Sequence, residues 1–354
     1  MIYERNSWPV LYHFSHIRQN ILEWLPITKE QKVLEIGSGC GPITGVLARK
    51  AKSVTCIDLS KMRSTINAYR NRECDNVKIM VGNFQDVESS LTEKYDYITL
   101  IGVFEYSQGY IGTAQPYVEM LRRIARHLAP GGRIVIAIEN RLGLKYWAAA
   151  PKIMWEIFEG LENYPDTRSV RTFSRKELSD IIDQAGEFKT TFYYPYPDYK
   201  FPMTIYSDKR LPKKGELRDN FCNFDRNRIQ LFNEGKVYDS LTDAGLSGIS
   251  NFIPGDCGKE GKKMKEIIFS KYSNERSRSF AIRTDIVEED GKRWLEKKWL
   301  YPEGKEHVLR MKKWNQKLDQ MYGEVPFLSN KCEIGEDCAY LSIWNRRILQ
   351  NIWM

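Results

Sequence analysis

No stretch of this 354-residue chain is long and apolar enough to cross a bilayer, and its N-terminus shows no charged-then-apolar leader. A cytoplasmic protein with no membrane span is therefore expected. The seven cysteines (Cys40, Cys56, Cys74, Cys222, Cys257, Cys332 and Cys338) lack paired C-x-x-C spacing and lack histidines at zinc distances. That argues against a zinc site and against a disulfide framework, leaving reduced structural thiols and no metal. An excess of one charge is also modest, with 54 basic against 46 acidic residues and a net charge of +8. The surplus gathers late in the chain, at Lys259, Lys262, Lys263, Lys265, Lys292, Arg293, Lys297, Lys298 and across 305–317. Such a run reads first as a solvated face, and second as a surface for an anionic partner such as a phosphorylated glycan or a nucleic acid.

What is present is more telling. Val33-Leu34-Glu35-Ile36 reads as a buried parallel strand that stops at the turn Gly37-Ser38-Gly39-Cys40-Gly41-Pro42, where the backbone can approach a ligand without side chains in the way. A second apolar run, Val54-Thr55-Cys56-Ile57, ends in Asp58, whose carboxylate suits the two hydroxyls of a ribose. An adenosine-containing ligand is expected. The turn lacks the third spaced glycine of G-x-G-x-x-G, and Glu35 stands two positions before the first glycine. A carboxylate there repels a pyrophosphate and attracts an ammonium. The charge pattern favours S-adenosylmethionine over NAD, with the ribose at Asp58 and Leu59 following in the same loop.

The blocks that follow keep this order. Val77-Lys78-Ile79-Met80-Val81-Gly82-Asn83-Phe84 reads as a third strand and an adenine loop, in which Asn83 can bond the exocyclic amine and Phe84 can pack on the base. Tyr95 to Ile101 is a fourth strand, leading into Gly102-Val103-Phe104-Glu105-Tyr106. Pro130-Gly131-Gly132 and residues 133–138 form a turn and a fifth strand. Taken together, the chain resembles the class I S-adenosylmethionine-dependent methyltransferases. The resemblance implies an α/β, Rossmann-like sheet of seven strands, mostly parallel with an antiparallel last strand. It also implies a cofactor site built from Glu35, Gly37, Ser38, Gly39, Gly41, Asp58, Leu59, Asn83, Phe84, Gly102 and Val103.

A narrower resemblance rests on 137–147, Arg171-Thr172-Phe173-Ser174, the tyrosine-rich Tyr194-Pro195-Tyr196-Pro197-Asp198-Tyr199-Lys200, and Ile205-Tyr206-Ser207-Asp208. These blocks resemble a bacterial methyltransferase family associated with cell-surface polysaccharide synthesis, over roughly residues 8–245. That resemblance implies a small-molecule or glycan acceptor, with nucleic acid disfavoured. Where the family tends to show Asp-His-x-Gly, this chain has Pro151 to Glu156. A shifted frame there, and again from Ser342 to Asn345, permits family-like residues, so local reading-frame slips and a premature end are expected.

About 150 residues per domain suggests more than one domain in a chain of this length. We expect an N-terminal helical cap over 1–30, a methyltransferase domain over 31–275 and an extension over 276–354, the last opening a second, incomplete module. Residues 7–25 read as an amphipathic helix, first as a packing helix with solvated polar residues and second as one lying across the cleft with Tyr12, His13 and Arg18 toward the ligand. Crossover helices are expected over 42–51, 61–72 and 116–128, and another from Arg175, capped by Ser174 and Glu177. The sixth strand is placed at 189–194 and the seventh at 265–272. The insertion between them, about 195–262, is where acceptor recognition is expected, with Tyr193 to Lys200 reading equally as a sugar-stacking surface or as a proline-stiffened aromatic cluster closing the sheet edge. Methyl transfer needs alignment, plus a base only for a hydroxyl nucleophile. The loops after the fourth and fifth strands nominate Glu105, Tyr106, Glu139 and Asn140, of which Glu105 or Tyr106 is the favoured base or orienter.

Overall fold

The computed structural model describes residues 7–150, 158–164, 170–217, 230–241, 248, 250, 252–258, 265–273, 276–322 and 331–342. Of the blocks 151–156 and 342–354, where frame slips are expected, all but Ser342 lie outside them. The chain divides into two compact units, one of 1–202 with 206–262 and one of 203–205 with 263–354.

In the larger unit, five strands form a parallel sheet in the order β3-β2-β1-β4-β5. They are β1 (Lys32–Ile36), β2 (Ser53–Asp58), β3 (Val77–Val81), β4 (Tyr95–Ile101) and β5 (Leu128–Glu139). Both faces of the central strands are covered, which is why Val33, Leu34, Ile98, Leu100, Ile134 and Ile136 are fully buried and read as continuous apolar runs. Each crossover carries a helix, at Thr44–Lys50, Lys61–Arg70, Phe84–Val87 and Pro116–Ala125. The last begins with a proline and buries Tyr117, Val118, Met120, Leu121 and Ile124, the i, i+3, i+4 face of an amphipathic helix. β6 spans Lys189–Tyr196, β7 spans Thr204–Ser207 and β8 spans Phe252–Gly258. β8 lies antiparallel to β5 on one side and to β6 on the other.

That pairing corrects one expectation. The neighbour of the sixth strand is 252–258, not 265–272. The later segment is β9 (Glu266–Tyr272), which belongs to a separate antiparallel sheet. Both segments follow turn-rich sequence, and 265–272 is rich in Ile, Phe and Tyr whereas 252–258 carries Pro254, Gly255 and Gly258, so local pattern favoured the wrong one; only the pairing partners distinguish them. The N-terminal segment also departs from a single helix. Residues Trp8–Phe14 are helical, Ser15 is extended and its hydroxyl accepts from the Ile17 amide, and a 3₁₀ turn (His16–Gln19) leads into a short helix over Asn20–Glu23.

In the smaller unit, β9 pairs with β10 (Ile282–Glu289), β10 with β11 (Lys292–Trp299), β11 with β13 (Cys338–Leu341) and β13 with β12 (Cys332–Ile334), all antiparallel. Thr204 and Ile205 of β7 extend this sheet beside β9. The β10–β11 hairpin turns at Asp290-Gly291, both with positive φ, the conformation that a two-residue turn matching strand twist requires. A helix over Gly304–Tyr322 packs Val308 and Met311 against Ile282, Ala339, Leu341 and Leu295.

Candidate active site

The site grows from the ends of β1, β2 and β4. At the close of β1 the chain turns through Gly37, whose φ of +74° is left-handed and whose missing Cβ leaves room for the Val103 side chain. Gly102 closes β4 in the same way, with a φ of +69°. A Cβ there would stand 2.8 Å from the Tyr199 hydroxyl. Glycine at 37 thus lets the β1 loop meet the β4 loop at Val103, and glycine at 102 leaves room for Tyr199.

Asp58 ties the turn together. Its Oδ2 accepts from the Gly39 amide at 2.8 Å and its Oδ1 from the Ser60 amide at 2.9 Å. Each oxygen keeps a further lone pair, and the side chain still lines the cavity. Glu35 sits beneath the turn, accepting from Thr44 Oγ1 at 2.6 Å and from Cys56 Sγ at 3.4 Å. Burial pushes its carboxyl up to about 7. The Ser38 hydroxyl is buried without a hydrogen-bond partner.

These groups surround a cavity of about 470 Å³. Of the residues selected from sequence, Glu35, Gly37, Ser38, Gly39, Asp58, Leu59, Asn83, Phe84, Gly102, Val103 and Tyr106 all line it. Tyr12, His13 and Arg18 line it too, despite the break in their helix. Gly41 does not line the cavity; it packs against Asn67 and Asn71, so it shapes the turn from behind. Arg63 and Tyr110 join the lining without having been singled out, because nothing in their local pattern separates them from ordinary surface residues.

Three of the four nominated catalytic residues, Glu105, Glu139 and Asn140, fall outside the cavity wall. Asn140 is fully buried, donates to the carbonyls of Gly248 and Ser250 at 2.9 and 2.8 Å, and accepts from the Leu142 amide. Its amide is spent on backbone, so Asn140 is a loop anchor rather than a group free for an acceptor. Glu105 is 1% exposed and lies one layer behind, its Oε2 without a partner and its carboxyl pushed up to about 8 by burial. Glu139 is likewise buried and is the opposite case. It accepts from Lys145 at 3.1 Å, from Lys200 at 2.8 Å and from the Tyr146 hydroxyl, and the two ammoniums hold it well below the usual carboxylate range against the opposing cost of burial.

A methyltransferase-domain family model matches residues 11–187, half of the chain. This chain belongs to that methyltransferase family. Ribosomal RNA small subunit methyltransferase A of Borreliella afzelii is 32% identical over 81 residues, 23% of this chain and 29% of that protein. The Leuconostoc mesenteroides protein of the same name is 34% identical over 73 residues, 21% and 25% respectively. The chain thus spans less than a third of the length of these curated relatives. Among solved structures, a chain of the complex between the Haloferax volcanii Trm112 methyltransferase activator and a methyltransferase has a TM-score of 0.44 at 17% identity, covering 73% of this chain and 95% of that one. A Thermotoga maritima S-adenosylmethionine-dependent methyltransferase scores 0.41 at 17%, covering 73% and 96%. At these scores the solved structures do not discriminate among acceptors.

The cavity of this methyltransferase fits S-adenosylmethionine, the family's cofactor. It offers an acidic side chain at the end of β2, an unpartnered serine hydroxyl in the glycine turn and an aromatic ring, Phe84, in the loop after β3. The expected aromatic acceptor surface is corrected. Tyr193, Tyr194, Tyr196 and Tyr199 are all buried, with the Tyr194 hydroxyl donating to Asp208 at 2.6 Å and the Tyr196 hydroxyl to the Leu217 carbonyl at 2.8 Å. The rings are core, because proline-stiffened aromatic sequence looks the same whether it closes a sheet or receives a sugar. Five free cysteines, Cys40, Cys56, Cys74, Cys332 and Cys338, are described. No metal-ligating cluster and no helix able to cross a membrane occur among the described residues.

Proposed function

We propose that this protein transfers the methyl group of S-adenosylmethionine to an oxygen nucleophile on a small-molecule or glycan acceptor. The cofactor, when bound, supplies an electrophilic methyl on a sulfonium leaving group, which needs no acid. Asp58 accepts from the ribose hydroxyls, Asn83 and Phe84 receive the adenine, and the glycine turn fits beside the amino-acid portion. Tyr106 faces the cavity with its phenol held neutral, pushed up to about 12 by burial, and so orients an acceptor by hydrogen bonding.

The observation that carries the oxygen reading is the buried Glu105 carboxyl, whose Oε2 has no hydrogen-bond partner, on the same loop as Tyr106. Burial makes it a stronger base than an ordinary carboxylate; because it stands behind the cavity wall, on this reading its Oε2 turns into the cavity to take the hydroxyl proton once the acceptor is bound, a role that an already nucleophilic acceptor would not need. Association with surface-polysaccharide synthesis is supported by the resemblance of the blocks between 137 and 208.

A thermal-shift panel of S-adenosylmethionine, S-adenosylhomocysteine, NAD and ATP tests the cofactor. Stabilisation by the first two alone is expected, and stabilisation by NAD in their place overturns the reading. RNA methylation is the second reading, favoured by the two ribosomal RNA methyltransferase relatives. Against it, the Asn/Asp-Pro-Pro-aromatic signature of amino-methylating enzymes is absent where Gly102-Val103-Phe104-Glu105 stands.

A further inference from the structure

Arg18 is the one guanidinium of the cavity wall that is almost wholly withdrawn from water, at 2% exposure. It is held by neutral partners. Nη1 donates to the Lys200 carbonyl at 3.1 Å, Nη2 donates to the Tyr12 hydroxyl at 3.2 Å, and the guanidinium lies 4.3 Å from the centroid of the Tyr12 ring. Its Nε is buried and has no partner. A buried cation stripped of water and left without an anion is costly, so the arrangement is that of a site whose anion arrives with a ligand.

The surrounding field agrees. His13, also in the wall, is pushed down by burial and by Arg63, Arg18 and Arg70, so the cations here are close enough to act on one another. The acidic groups of the wall, Glu35 and Asp58, accept from Thr44 and from the Gly39 and Ser60 amides, and neither is a hydrogen-bond partner of Arg18.

We infer that Arg18 receives the carboxylate of the cofactor's amino-acid portion, using the Nε–Nη2 edge that its protein partners leave incompletely used. This rests on the reading of the cavity as an S-adenosylmethionine site. A planar guanidinium meets a carboxylate with two parallel N–H bonds, and a lysine cannot reproduce that fork. Glu35 and Arg18, both in the wall of one cavity, then provide opposite charges for the two ends of a zwitterion. The N-terminal segment becomes part of the cofactor site. The break at Ser15 is consistent with this, because it lets Tyr12 on one side and Arg18 on the other meet at one guanidinium.

Calorimetric titration of wild type, Arg18→Gln and Arg18→Lys with two nucleosides tests the assignment. S-adenosylhomocysteine carries the amino-acid group; 5′-methylthioadenosine has the same adenosine and sulfur without it. Arg18→Gln is expected to weaken S-adenosylhomocysteine at least tenfold and 5′-methylthioadenosine less than twofold, with Arg18→Lys between wild type and Arg18→Gln. Equal losses for both nucleosides would make Arg18 a scaffold residue and overturn the inference. No loss for either would assign the guanidinium to something other than the cofactor, such as an acceptor anion, and overturn it too. Should Arg18→Gln fail to fold, the Arg18→Lys comparison of the two nucleosides decides alone. Wild type that binds neither nucleoside removes the cofactor reading itself, an outcome distinct from the loss of selectivity that bears on Arg18.

Discussion

Asp58 holds the Gly39 amide with one oxygen and the Ser60 amide with the other while still facing the cavity, so a single side chain both shapes the turn and presents an acceptor to the ligand. Removing it should therefore hurt binding more than a lost ribose contact alone. S-adenosylhomocysteine at a hundred times its dissociation constant stabilises by about 2.7 kcal/mol through linkage, and Asp58→Ala is expected to abolish most of that increment in a thermal-shift titration. A full shift in the variant would show that the ribose is held elsewhere. Glu105 makes a second residue-scale prediction. A base must be ionised to act, and its carboxyl is pushed up to about 8, so the methyl-transfer rate should rise with pH through about 8. Glu105→Gln should lower the rate at least a hundredfold and remove that rise, measured by transfer of labelled methyl to an acceptor; an unchanged pH profile in the variant would reject Glu105 as base.

At the scale of elements, the sequence is most legible where one local pattern has one structural outcome. The Ser174 to Glu177 capping box is an example. Ser174 Oγ accepts from the Glu177 amide, the Glu177 carboxylate accepts from the Ser174 amide, and the helix runs Arg175–Ala185 with Leu178 and Ile182 fully buried. Ser174→Ala should cost about 1 kcal/mol, read as a lower urea midpoint with an unchanged slope. A loss below a few tenths would mean that packing of Leu178 and Ile182 holds the helix without its cap. The glycine turn, the ends of β1 and β2, and the helix after β4 were legible for the same reason. What stayed hidden depends on contacts distant in sequence. Whether 252–258 or 265–272 lies beside β6 is decided by pairing partners, and Tyr193 to Tyr199 read identically as a platform or as core. Buried tyrosines predict a different phenotype from exposed ones. Tyr196→Ala should destabilise by about 3 kcal/mol through cavity formation and an unpaired Leu217 carbonyl, and any effect on acceptor binding should follow from that loss of fold.

For the molecule as a whole, three buried carboxyls give its stability a shape in pH. Glu35 is raised to about 7 and Glu105 to about 8, each chiefly by burial. A carboxyl that titrates higher when folded favours the folded state most below its unfolded pKa, and that contribution is lost as pH rises through the folded value. Glu139 runs the other way. Its ammonium partners hold it low, so its contribution is present above the ordinary carboxylate range and is lost as pH falls below it. The two trends leave a maximum near pH 4.5, above which each raised carboxyl contributes a decline on the order of 1 kcal/mol per pH unit until its folded value is passed. Urea midpoints measured from pH 5 to 9 should therefore fall from pH 5, less steeply once 7 is passed, and level off above about 8. Glu105→Gln, which keeps the shape and removes the charge, should flatten the part of the fall between 5 and 8. If its profile overlays that of wild type, the carboxyl is solvated in the working protein, and both the pH maximum and the case for Glu105 as a strong base fall together.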